Sequence, residues 1–298
     1  MFSMQNKLNW YRKTDPWLFL IPTLLGLIVF RFWPIFSSLG LSFTDWDILK
    51  SPRFLLFENY RELFSKKEFI QVFVNTLLFA FFYVVGVTAL GLFLAALLNN
   101  SNIRGIGFFR AAFYTPVVTS AVAVGIIWSW ILSPNYGILN IALERIGITP
   151  PYWIGDKAWA LPTVAFVQVW KMAGYYMIIF LAGLQTIPAS LKEAAIIDGA
   201  RPVQSFFKIT LPLLSPTTFF VVSIAVIDSF KNFELIYAMT QGGPQNATNT
   251  LVYDVYLNAF VYYRMGYASA VAWILLGLVA LFTIVNFTLK KHWVNYQY

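Results

Sequence analysis

The sequence predicts an all-α, polytopic membrane protein with six spanning helices, and three observations carry that prediction. The composition is 59% hydrophobic and 19% aromatic with only 11% charged residues, which cannot describe the surface of a soluble domain. Apolar stretches near 17–43, 70–98, 108–132, 159–184, 213–240 and 268–290 are long enough to cross the hydrocarbon, which takes roughly 20 helical residues. Backbone groups in lipid must pair within their own segment, so helices are favoured over an open sheet, and the short alternating strands of an outer-membrane barrel are not seen.

The first stretch follows the polar run Met1 to Asp15; it is too long for a cleavable signal and lacks a small-residue cleavage site, so it is expected to remain as a span. Trp10, Tyr11 and Trp17 before it, and Trp293, Tyr296 and Tyr298 after the last stretch, suit an interfacial aromatic belt. The second stretch carries the run Phe79 to Tyr83, read as lipid-facing or packing residues. Several stretches are interrupted by Pro or carry single polar residues; the ionisable ones are Arg31, Lys171, Asp228, Lys231 and Glu234. The expected organisation is an N-terminal segment 1–16, one membrane domain 17–290 containing a loop at 185–212, and a tail 291–298.

An even number of spans puts both termini on one side. The loops on that side carry ten Lys or Arg and the opposite loops eight, the latter diluted by acids such as Asp45, Glu58 and Asp156. The bias places both termini and the 185–212 loop in the cytoplasm. The net charge of +8 is spread over span ends and never forms a basic run with interleaved aromatics, so anionic lipid is the expected partner rather than nucleic acid.

Much chemistry is excluded. There is no cysteine, the single histidine, His292, lies in the tail, and no metalloprotease, nucleophile-elbow or nucleotide-binding loop string is present. Any work the chain performs must draw on an ion gradient or on another polypeptide.

The polar loop 185–212 reads as a docking surface. Ser190 and Glu193 have capping-box spacing behind Pro188, so a short helix is expected to start at Ser190. Ala194 and Ala195 make its surface small, Gly199 suits the left-handed stop after Asp198, and Pro202 suits the first turn of a second helix running to Pro212. The two short helices are expected to lie outside the membrane.

Glu193-Ala194-Ala195, then Gly199, then Ile209-x-Leu211-Pro212 resembles in full the Glu-Ala-Ala motif of permease subunits of binding-protein-dependent ABC importers. Further likeness to the carbohydrate branch, similar to the maltose and glycerol-phosphate permeases, lies in Leu41–Trp46, Asn75-Thr76-Leu77, Pro134–Asn140, Ala182–Pro188 and Gly242-Gly-Pro244. The resemblance implies a type I importer permease fold in which Glu193, Ala194, Ala195, Asp198 and Gly199 form a coupling helix against a cytoplasmic ATPase. It also implies the partners: a second permease, two ATPase subunits holding ATP and Mg, and a solute-binding protein. No cofactor is implied in this chain, and the bacterial inner membrane is the implied location.

The candidate solute site is a polar set on the fourth and fifth stretches: Gln168, Lys171 and Tyr175 on one helix face, with Asp228, Ser229 and Asn232 opposite, together offering donors, acceptors and a ring for a sugar or polyol. Asp228, Lys231 and Glu234 also follow an i, i+3 rhythm that would let them neutralise one another along one helix. Residues 45–69, 133–158 and 241–267 are expected to be outward loops, either receiving the binding protein or serving as plain turns. The alternatives are a gradient-driven transporter using Asp228 and Glu234 as ion sites, and an importer of a non-sugar solute.

Overall fold

The structure is a computed structural model that describes residues 17–99 and 104–294. In chain order the elements are α1 (Trp17–Ser42), β1 (Thr44–Asp45), β2 (Arg53–Phe54), α2 (Glu58–Ser65), α3 (Lys67–Leu98), α4 (Ile106–Val118), α5 (Ala121–Ile131), α6 (Ile138–Arg145) and α7 (Ala160–Thr186). They continue with α8 (Ala189–Ile197), α9 (Pro202–Leu213), α10 (Ser215–Ser229), α11 (Glu234–Met239), α12 (Leu251–Val261) and α13 (Met265–Trp293). The expected all-α membrane architecture is present, with one short hairpin added.

Among the described residues, α1, α3, α7 and α13 are each long and apolar enough to cross a membrane. The remaining two spans are bent pairs: α4 and α5 meet at 99°, and α9 and α10 at 67°. Six crossings result if each pair is one span. The stretch read at 213–240 is therefore not one helix, because α10 stops at Ser229 and α11 begins only at Glu234. A local competition accounts for the stop: the Ser229 hydroxyl donates to the Val226 carbonyl at 2.6 Å, the acceptor that the Phe230 N–H would take in a continuing helix.

Two prolines inside helical runs are accommodated in one way. The N–H of Trp33, just before Pro34, reaches back five residues to the Ile28 carbonyl, and that of Leu211, before Pro212, reaches Phe206. A π turn thus precedes each proline and absorbs the missing donor and the ring's clash with the turn behind it.

The backbone divides into two compact units, each described by itself. The first holds residues up to Leu63 together with Leu257–Trp273. Its hairpin pairs Thr44 with Phe54 and Asp45 with Arg53. The Asn59 amide donates to the Ser42 and Thr44 carbonyls at 2.9 Å each, and Tyr60 donates to the Ser42 hydroxyl. Arg264 grips Glu62 through two bonds of 2.8 and 2.7 Å. The outward loop read at 45–69 is thus a hydrogen-bonded structure rather than a plain turn.

The second unit holds Phe64–Tyr256 and the chain from Ile274 onward. Its centre is the pair α3 and α7, where Phe79, Tyr83 and Val87 are buried with Tyr176, Met177 and Phe180. Phe81 and Phe82 of the same aromatic run remain exposed. In hydrocarbon, apolar burial alone does not hold helices together; close packing at small residues and buried polar contacts do. Gly174 supplies the first, since a Cβ there would collide with the Phe113 carbonyl of α4. Tyr83 and Tyr176 supply the second.

Candidate functional site

The loop after α7 forms two short helices, but α9, expected outside the membrane, is one arm of the bent pair with α10 that passes as a span, and the first helix starts differently. Helix α8 starts at Ala189 behind Pro188 and has no side-chain cap, so the Ser190–Glu193 capping box does not form. Pro188, at ψ 133°, turns the chain into the helix one residue earlier and leaves Ser190 inside the first turn. The other end follows the sequence reading. Gly199 has φ +79°, its N–H donates to the Ile196 carbonyl at 3.0 Å, and the Ala200 N–H donates to Ala195 at 2.9 Å. This paired closure satisfies two carbonyls that a helix end otherwise leaves open.

Ala194 is exposed, whereas Ala195 is buried within the chain. Glu193, Asp198 and Gly199 are exposed. Beside them stand side chains the sequence reading did not single out: Ile196 is 70% exposed, Ile197 85%, Val203 69% and Phe207 60%. All four are large apolar side chains left exposed on α8 and the first half of α9. Their signal in the sequence was present, in Ile196-Ile197 directly after the alanines.

The polar interior is built on α3, α7 and α10. Tyr176 is fully buried and its hydroxyl donates to Asp228 Oδ2 at 3.1 Å. The Tyr83 hydroxyl, also fully buried, stands 3.5 Å from that of Tyr176, and the Gln168 side chain lies beside the same Tyr83 group. Gln168 Oε1 and Asn232 Nδ2 are buried without a hydrogen-bond partner. The interior thus holds a carboxylate acceptor at Asp228 and, at Gln168 and Asn232, one unsatisfied amide acceptor and one unsatisfied amide donor.

The six predicted residues divide in this setting. Gln168 and Asp228 join the tyrosine cluster, Tyr175 packs edge-on against Tyr176 with ring centroids 5.2 Å apart, and Asn232 is 5% exposed. Ser229 has spent its hydroxyl on Val226. Lys171, 6% exposed, donates to the Val117 carbonyl at 3.1 Å. The i, i+3 neutralisation of Asp228, Lys231 and Glu234 along one helix is overturned, since Lys231 lies in the turn between α10 and α11 and both it and Glu234 are exposed. Tyr83 and Tyr176 were missed. Both lie in aromatic runs that read as packing, although a buried Tyr hydroxyl needs a partner and so hints at a polar neighbour.

Residues 68–293 match the family described as the binding-protein-dependent transport system inner membrane component. The chain belongs to this family. The permease is also 38% identical over 287 residues to the probable ABC transporter permease protein YesP of Bacillus subtilis, covering 94% of this chain and 91% of that protein. It is 33% identical over 284 residues to the sn-glycerol-3-phosphate transport system permease protein UgpA of Pectobacterium atrosepticum, covering 95% and 96%. Its fold is similar to that of a chain from a bacterial ABC transporter that imports the acidic polysaccharide alginate, with a TM-score of 0.82 at 23% identity over 96% of this chain and 98% of that one. The permease is therefore a multi-pass inner-membrane subunit of an ABC importer; it carries no cofactor, is not itself an enzyme, and works with a binding protein and an ATPase.

Two sequence stretches that carried the resemblance meet in this permease. Asn75 donates to the carbonyls of Asn246 and Asn249 at 2.7 and 3.0 Å, and the Thr76 hydroxyl accepts the Leu251 N–H at 2.9 Å. Thr248 in turn bonds Thr240 and the Gly243 carbonyl at 2.7 and 2.8 Å. The segment after α11 is thereby pinned to the start of α3. A cleft of about 480 Å³ opens beside it, lined by Gln71, Asn75, Phe82, Lys157, Pro162 and Ala247 among others. Another such stretch is organised by Asn140, which donates to the Ser133 carbonyl and accepts the Trp153 indole N–H at 2.7 Å.

Proposed function

We infer that this permease carries a sugar or polyol, and that the half-buried Gln168, Tyr175 and Asp228 and the buried Asn232, with Tyr83 and Tyr176 behind them, are where the solute passes. The observation that carries the reading is that two buried amide atoms lack partners: Gln168 Oε1, on the helix of Tyr175 and Tyr176, and Asn232 Nδ2, four residues beyond Asp228. A hydroxyl both donates and accepts, so a polyol can satisfy an open acceptor and an open donor at once, while an apolar solute would leave both unpaired at a cost of about 1–3 kcal/mol each. Ser229, whose hydroxyl hydrogen is committed to Val226, adds an acceptor to the set. The similarity to a glycerol-3-phosphate permease supports this class of solute.

In the same reading both termini are cytoplasmic and 17–290 forms the membrane domain. Glu193, Ala194, Ala195, Asp198 and Gly199 couple to the ATPase, with the exposed Ile196, Ile197, Val203 and Phe207 supplying apolar contact. A second permease and two ATPase subunits complete the importer, and the outward segments receive the binding protein.

The test is purification of the tagged chain with its partners, identification of the captured binding protein, and a screen of that protein against sugars and polyols. Uptake of the bound sugar by the reconstituted, ATP-driven complex supports the reading, with KM raised by Gln168→Ala and Asp228→Asn. A captured binding protein that ignores every sugar and retains another solute instead makes this an importer of that solute.

A further inference from the structure

The break between α4 and α5 has an unusual support. Helix α4 ends at Val118 and the chain turns 99° through Thr119 and Ser120 before α5 begins. A helix end inside a membrane leaves its last carbonyls without donors, and water is not there to replace them. Here they are taken one by one. The Thr119 hydroxyl donates to Thr115 at 3.0 Å, the Thr119 N–H donates to Pro116 at 3.3 Å, and the Lys171 ammonium of α7 donates to Val117 at 3.1 Å. The first two bonds are local. The third comes from 54 residues away and is the one that ties the bend to another helix.

Lys171 is buried to 6% exposure, and its hydrogen-bond partner is a carbonyl rather than a carboxylate. The C-terminal carbonyls of α4 favour a cation at this place, and the Glu234 carboxylate acts on it electrostatically without a direct ion pair among the described contacts. One turn along α7, Gly174 lets the backbone of Phe113 and Tyr114 sit directly against the helix. The end of α4 is thus seated at Gly174 and held at Lys171, while Val118, Thr119 and Ser120 remain exposed.

We propose that Lys171 is a positioning residue for transport: its ammonium holds the α4–α5 elbow at its angle and so fixes where Thr119 and Ser120 stand, rather than binding the solute. The proposal rests on the permease fold and not on the identity of the solute. Holding a backbone carbonyl needs an N–H donor at this reach, so Arg can substitute and Met, of similar length without a donor, cannot.

The sequence contains no cysteine, so Ser120→Cys and Ile178→Cys give two defined labelling points on this subunit. The assembled importer carrying spin labels at both is measured by pulsed electron resonance. One narrow distance distribution is expected with Lys171, a broadened one with Lys171→Met, and a narrow one again with Lys171→Arg. In proteoliposomes Lys171→Met is expected to lower kcat about tenfold with KM nearly unchanged, the pattern of a lost positioning contact rather than a lost ground-state contact. An unchanged distance distribution together with a raised KM overturns the proposal and makes Lys171 a solute ligand. Should Lys171→Met fail to assemble, Lys171→Arg carries the test alone: a narrow distribution with KM and kcat near the parent supports the proposal, and a raised KM with the distribution unchanged overturns it.

Discussion

The Tyr176 hydroxyl donates to Asp228 across 3.1 Å, joining α7 to the last turn of α10 in the interior of the second unit. Tyr176 also stands at 3.5 Å from Tyr83 of α3, so one phenol links three helices. Removing that hydroxyl leaves a half-buried carboxylate short of a donor. Tyr176→Phe is therefore expected to destabilise the purified importer by about 1–3 kcal/mol. Thermal unfolding in detergent measures it, and a transition unchanged from the parent would show that water or Tyr83 replaces the bond without loss. Asp228→Asn, which keeps an acceptor, is expected to unfold close to the parent while raising KM for the solute.

Gly199 occupies the left-handed region at φ +79°. An L side chain there costs about 1–2 kcal/mol, more for a β-branched one and less for Asn. Gly199→Val is expected to abolish uptake and weaken co-purification of the ATPase while membrane insertion stays normal. Gly199→Asn should retain most of both. Normal uptake in the Val variant would count against a coupling role for this turn.

Asn75 holds two carbonyls of the 246–249 segment with one amide. Asn75→Ala leaves both without that donor, and a loss of about 1–3 kcal/mol in local stability is expected. The readout is limited proteolysis of sealed vesicles with this face outward: cleavage near Gln245 should appear in the variant well before the parent is cut. Equal cleavage rates would mean the Thr248 bonds alone hold the loop.

The Arg264–Glu62 pair is two-bonded at 2.7–2.8 Å, yet 41% and 31% of the two side chains are exposed. Solvent screening keeps such pairs near 1 kcal/mol or below, and salt reduces them further. Glu62→Gln should shift thermal unfolding only slightly, and less at high salt than at low. A large, salt-independent shift would reveal a structural role beyond the ion pair.

Most of the spans, the short helix closed at Gly199 and the family were legible because each is written in local residue order. Roughly twenty apolar residues can only cross, a Gly after a short helix stops it, and the Glu-Ala-Ala string is contiguous. In the candidate solute set, Gln168, Tyr175, Asp228 and Asn232 could be picked out for the same reason, as polar residues in apolar surroundings. Tyr83 and Tyr176 could not, because an aromatic in an apolar run looks the same whether its hydroxyl is paired or idle. Ser190 shows the opposite error: the capping spacing was correct, but Pro188 set the helix start first.

By itself the sequence determined that this chain is helical, crosses the membrane and carries a short helix closed at Gly199. These depend on hydropathy, length and backbone geometry within a few residues. Tertiary structure alone decided that two of the spans are bent, that Asn75 holds a segment some 171 residues away, and that Lys171 caps α4 while Asp228 takes Tyr176. The physical reason is common to all of them. In a membrane an open carbonyl, amide or charge must find its partner inside the protein, and which partner it finds depends on which helices pack side by side.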